Sequence, residues 1–124
     1  MGKTLILPLK KKWFDLIKAG IKTEEYREIK PYYIRRFIKL DTLREDLLEH
    51  YKIGFDEGEI VGIEGELRLL SDKLEKIVFT LGYPKADDTE RRLEFANPKI
   101  QIGKGRKEWG AEPGKIYFVI TWEE

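Results

Sequence analysis

The sequence predicts an α+β protein with a mixed sheet curled toward a barrel. Three observations carry this. A short apolar run at the N-terminus is followed by helix-spaced residues, two further helical stretches come next, and the C-terminal half is a succession of strand-like runs. With 124 residues there is length for one domain and one modest core.

Thr4-Leu5-Ile6-Leu7 reads as a buried strand closed by Pro8. From Lys10 to Ala19, Trp13, Phe14 and Ile17 approximate helical spacing, the lysines fall off that face, and Gly20 stands where a C-cap glycine is expected. Trp13 and Phe14 read as core. Thr23 to Ile29 reads as a strand whose alternation puts Glu25 and Arg27 on one side. Pro31 to Ile38 reads as a helix with proline in its first turn, and Asp41 to Tyr51 as another with acids in its first turn.

Glu59 to Leu70 alternates acidic and apolar residues, as a strand or loose hairpin would. Lys76–Leu81 is a strong strand pattern that ends at Gly82-Tyr83-Pro84. Arg91–Phe95 and Lys99–Gly105 read as two extended runs. Arg106–Gly114 reads as a loop, and Lys115–Trp122 as the terminal strand.

Composition excludes several function classes. The chain has no cysteine and one histidine, His50, so disulfides, thiolate chemistry and a Cys/His metal site are not expected. There is no apolar run long enough to span a membrane and no signal-peptide core, so a cytoplasmic protein is expected. No Walker loop, dinucleotide fingerprint or Ser/His/Asp set is present, and no cofactor is implied. Net charge is +1, unevenly spread. Residues 1–40 hold eleven Lys and Arg against four acids, and residues 41–75 hold four against eleven. A basic N-terminal third can attract phosphate without making the whole chain basic; a self-compensating surface is the alternative.

The chemistry concentrates in Gly20-Ile21-Lys22-Thr23-Glu24-Glu25-Tyr26-Arg27. Arg27 can fork onto phosphate or carboxylate with Glu25 holding it in place, and Lys22 can donate to phosphate or serve as a base if desolvated. Glu25 can also accept from a nucleobase amino group. The alternative is a plain ion pair at the sheet edge, with no ligand. Tyr26 and Tyr83 are candidate stacking surfaces for an unpaired base, against simple packing roles. Among the many basic residues, Lys104-Gly105-Arg106-Lys107 is the best phosphate candidate, because glycines let backbone amides approach.

On these residues the chain resembles the ASCH domain family, whose fold is a PUA-like β-barrel with flanking helices, here two or three. The family signature, glycine, lysine two positions on, then glutamate and arginine, corresponds to Gly20, Lys22, Glu25 and Arg27. Ile77–Pro84 and Ile100–Ala111 resemble a branch of the family common in phages and prophages. The likeness covers 3–38 and 76–122, within a single domain spanning 1–124, and leaves 41–73 as an acidic insertion.

The resemblance implies a cleft beside the signature that binds RNA; with the residue chemistry above, the residues expected to hold RNA or a nucleotide are Lys22, Glu25, Tyr26, Arg27, Tyr83, Lys104 and Arg106. A small branch is similar to an amidohydrolase of N4-acetylcytidine. It uses a lysine, a threonine three positions later and a distant glutamate. Lys22 matches the lysine, Glu25 stands in the threonine position, and no residue matches the distant glutamate. If the chain is an enzyme, Lys22 and Glu25 are the expected acid/base pair.

Overall fold

The computed structural model describes residues 2–37 and 73–123. The helix expected over 41–51, His50 and the alternating run 59–70 lie outside them. The described residues are mixed α+β, in the order β1 (Lys3–Leu9), α1 (Lys11–Lys18), β2 (Glu25–Arg27), α2 (Pro31–Phe37), β3 (Leu74–Leu81), β4 (Arg92–Lys104) and β5 (Ile116–Glu123). The strands form one sheet in the order β1-β3-β4-β5-β2. β1 runs parallel to β3 and every other pairing is antiparallel. The sheet curls into half a barrel.

β4 produces the curl. Its first half, Arg92 to Ala96, pairs with β3, and its second half, Lys99 to Lys104, pairs with β5. Between the halves the register shifts between Ala96 and Lys99, and Asn97 adopts φ 50°. A bulge of this kind bends a strand and increases its twist. The two extended runs expected at 91–95 and 99–105 are therefore one strand with a corner in it.

β1 also differs from expectation. Proline does not close it: Pro8 lies inside the strand opposite Thr80, and the strand continues to Leu9. Among the described residues β1 is the edge of the sheet, where a missing N–H need not break the ladder. Nor is the strand buried on both faces, since Leu5, Leu7 and Leu9 point inward while Ile6 is 46% exposed. Arg36 of α2 donates to the Ile6 carbonyl on the outer edge.

Leu7, Ile77, Phe79, Ile100, Phe118 and Ile120 are almost entirely shielded from water and form the centre of the core. α1 closes one side with Phe14 and Ile17. It ends as its glycine predicts, with Gly20 at φ 75° and its N–H on the Ile17 carbonyl. α2 covers another side through Phe37, whose ring meets Phe118 edge-on at 5.2 Å. Among the described residues no helix is long and apolar enough to cross a membrane.

Candidate functional site

After Gly20 the chain doubles back on α1. The N–H groups of Ile21 and Lys22 both donate to the Leu16 carbonyl, at 3.0 and 3.1 Å. That return shortens the strand expected from Thr23. Its other end is set by the Lys30 N–H donating to the Glu28 carbonyl just ahead of Pro31. What remains, Glu25–Arg27, pairs with β5: Glu25 lies opposite Ile120, Tyr26 opposite Val119 and Arg27 opposite Phe118. Directly opposed residues share a face, so Glu25 and Arg27 stand on the same side as two core residues. Two charges placed there need partners.

Glu25 supplies them. Its Oε1 accepts from Lys22 Nζ at 2.5 Å and from the Tyr26 N–H at 3.1 Å; its Oε2 accepts from Arg27 Nη2 at 2.9 Å. Lys22 is only 1% exposed. Its ammonium lies over the Trp13 ring at 4.8 Å and the Tyr26 ring at 5.5 Å. Loss of water pulls the Lys22 pKa below the usual lysine value, even though Glu25 acts to raise it. Arg27 is held on three sides. Nη2 also donates to the Pro8 carbonyl at 2.7 Å, and Nη1 donates to the Tyr33 hydroxyl at 2.9 Å.

Above this buried network opens a recess of about 470 Å³. Glu25 and Arg27 reach it, whereas Lys22 lies behind it. Among the described residues five aromatic rings form its walls: Trp13, Tyr26, Tyr33, Trp109 and Tyr117. Trp13 is thus half-buried on the wall rather than in the core. The wall furthest in sequence is the segment between β4 and β5. The Arg106 N–H donates to the Tyr26 hydroxyl at 2.9 Å, and that hydroxyl donates to Glu24 at 2.7 Å. Gly105 makes the approach possible, since a Cβ there would stand 2.7 Å from the Tyr26 ring. Burial pushes the Tyr26 pKa up to about 12; the Arg106 N–H opposes the shift and Glu24 adds to it.

The remaining charges lie toward the mouth. Lys30 and Lys115 flank Glu28 at 3.3 and 3.4 Å, and Lys10 stands exposed nearby. Partial burial raises the Glu28 pKa, but the two ammonium groups outweigh it and bring the carboxyl below its usual value. The hydroxyls of Tyr33 and Tyr117 each accept a hydrogen bond, from Arg27 and from the Glu112 N–H. Neither O–H has an acceptor among the described residues, so both can donate to a guest. Nowhere in the described residues do three or more His, Cys, Asp or Glu side chains gather as they would to hold a metal ion.

No family model, curated protein or solved structure matches this chain. The site therefore rests on its own geometry. Of the residues singled out in the sequence, Glu25, Tyr26 and Arg27 meet at the recess and Lys22 braces them from behind. Tyr83, Lys104 and Arg106 are not on its walls. Tyr83 is 94% exposed at the β3–β4 turn, and Lys104 is exposed at the end of β4. Arg106 contributes its backbone N–H, while its guanidinium lies over Trp109 at 4.9 Å.

Sequence reasoning passed over Tyr33, Trp109, Tyr117, Glu28, Lys30 and Lys115 as site residues. The one local signal was Trp109-Gly110, an aromatic residue beside a glycine in a loop. A Cβ on Gly110 would come within 2.8 Å of the Trp13 ring.

Proposed function

We propose that this recess binds a nucleotide or a short stretch of single-stranded RNA, and that the chain is an ASCH-type domain on a PUA-like barrel working in the cytoplasm. The observation that carries the reading is an open recess with a fixed, charge-paired floor and five aromatic rings around it. Aromatic walls suit unpaired bases, which stack on rings regardless of identity. The volume lies within the range of small-molecule sites, roughly 300–1,000 Å³. Lys10, Lys30 and Lys115 at the mouth supply charge for a phosphate backbone.

The test is the affinity of a labelled, unstructured RNA measured by fluorescence anisotropy as salt is raised. Binding that weakens steeply with salt and is reduced by Trp13→Ala supports the reading. Affinity indifferent to both removes it.

A second reading, a hydrolase of a modified nucleoside or of RNA, draws on the Lys22–Glu25 pair, of which Glu25 reaches the recess and Lys22 acts from behind it through the 2.5 Å contact. It expects turnover that Lys22→Met abolishes in a protein that still unfolds cooperatively. A panel of acylated nucleosides and single-stranded RNAs returned unchanged would count against it.

A further inference from the structure

Two groups at the site, Arg27 and Lys22, look by type like phosphate ligands, and the geometry argues against both as the main phosphate contact. A bidentate grip on phosphate needs two adjacent free N–H groups on one guanidinium. Arg27 has no such pair to offer, only a second Nη1 N–H that has no partner among the described residues. Its Nη2 serves both Pro8 and Glu25, its Nη1 serves Tyr33, and its Nε, though without a partner among the described residues, is sealed from water. Lys22 is closed off beneath Trp13 and Tyr26.

Besides Arg27, the cations on the recess among the described residues are Lys10, Lys30 and Lys115, and all three stand toward solvent. The side chains of Lys30 and Lys115 are 58% and 38% exposed and both pair with the Glu28 carboxylate; the exposed Glu112 carboxylate on the recess also acts on Lys115. Lys10 makes no ion pair among the described residues. Deeper in lie rings: Tyr117 is buried, and Trp13, Tyr26 and Tyr33 are half-buried. Three ammonium groups against the two carboxylates of Glu28 and Glu112 leave the lip net cationic, with the rings and the Glu25–Arg27 pair deeper in.

We infer that the recess takes one nucleoside monophosphate unit ring-first, with the base among the aromatic walls and the phosphate outward on Lys10, Lys30 and Lys115. This rests on the nucleotide-binding reading above and adds the orientation and the groups that recognise the phosphate. The unit is either a free mononucleotide or the terminal nucleotide of a strand, since both present the same ring and the same phosphate.

Calorimetric titration separates the possibilities, with uridine, adenosine, their 5′-monophosphates, inorganic phosphate, and a short oligouridylate with and without a 5′-phosphate. The monophosphates are expected to bind roughly tenfold tighter than the nucleosides, the effect of one or two charge-assisted contacts at an exposed lip. The double variant Lys10→Gln/Lys115→Gln is expected to erase that difference while leaving nucleoside affinity unchanged. Neither lysine contributes to the buried network, so the fold is expected to survive. An oligonucleotide that matches the mononucleotide only when 5′-phosphorylated supports the strand-end source; one that fails to compete supports the free mononucleotide.

Nucleosides and monophosphates of equal affinity would overturn the inference while sparing the binding function. So would a phosphate preference that survives the lysine double variant and is lost in Arg27→Lys. Absence of binding by every ligand would overturn both.

Discussion

At the scale of residues the site depends on one carboxylate. Glu25 pairs with two cations that the fold has removed from water, Lys22 and Arg27. Removing the common partner of buried charges is costly because the charges left behind are uncompensated, typically by about 3–5 kcal/mol. Glu25→Gln is therefore expected to destabilise the protein by about that amount in urea denaturation. Lys22→Met is expected to cost less, since it deletes a charge whose burial was unfavourable and leaves Glu25 with Arg27. The reverse order of the two variants would mean that the network is not organised around the carboxylate.

Tyr26 gives a second residue-scale prediction. Its pKa is raised in the folded protein from 10.0 to about 12, so folding favours the neutral phenol. The associated stability is fully present below pH 10 and is lost as pH climbs through about 12. The stability gap between the protein and its Tyr26→Phe variant should narrow across that window. A gap independent of pH there would contradict the assignment.

Among the elements, the segment joining β4 to β5 forms one wall of the recess, and Gly105 is what allows it to dock. A Cβ on Gly105 would stand 2.6 Å from the Ala111 Cβ and 2.7 Å from the Tyr26 ring. Gly105→Ala is expected to cost about 1–3 kcal/mol, the usual range for overpacking. It should also weaken ligand binding by displacing Trp109, measured as affinity under conditions where the variant is fully folded. Unchanged stability and affinity would show that the wall is not held where Gly105 places it.

This scale also shows how much could be read from the chain. α1, its glycine stop, β3 and β5 were legible because periodicity and punctuation are local. Pro8 inside β1 and the joining of two extended runs into β4 were not, because edge position and a bulge are set by neighbouring strands. Alternation placed Glu25 and Arg27 side by side, as found. The burial of Lys22 escaped it, since that follows from the return of the chain onto the Leu16 carbonyl. Trp109, Tyr117 and Lys115 reach the recess only because β5 pairs with β2, a contact that no local pattern encodes.

Over the whole molecule, the curled sheet brings two segments far apart in the sequence, 8–33 and 109–117, to one place. The basic N-terminal third supplies Lys10, Arg27 and Lys30, and the segment around the start of β5 supplies Trp109, Lys115 and Tyr117. The chain has three tryptophans, and the fold divides them usefully. Trp13 and Trp109 line the recess, whereas Trp122 packs against Phe79 and Phe95, at 4.9 and 5.4 Å between ring centroids. Tryptophan fluorescence during titration with a 5′-mononucleotide therefore reports on the recess directly. Occupancy predicts a saturable change that shrinks in Trp13→Phe and in Trp109→Phe and persists in Trp122→Phe. A titration with no saturable change, or one whose signal vanishes only in Trp122→Phe, would contradict a nucleotide seated in the recess.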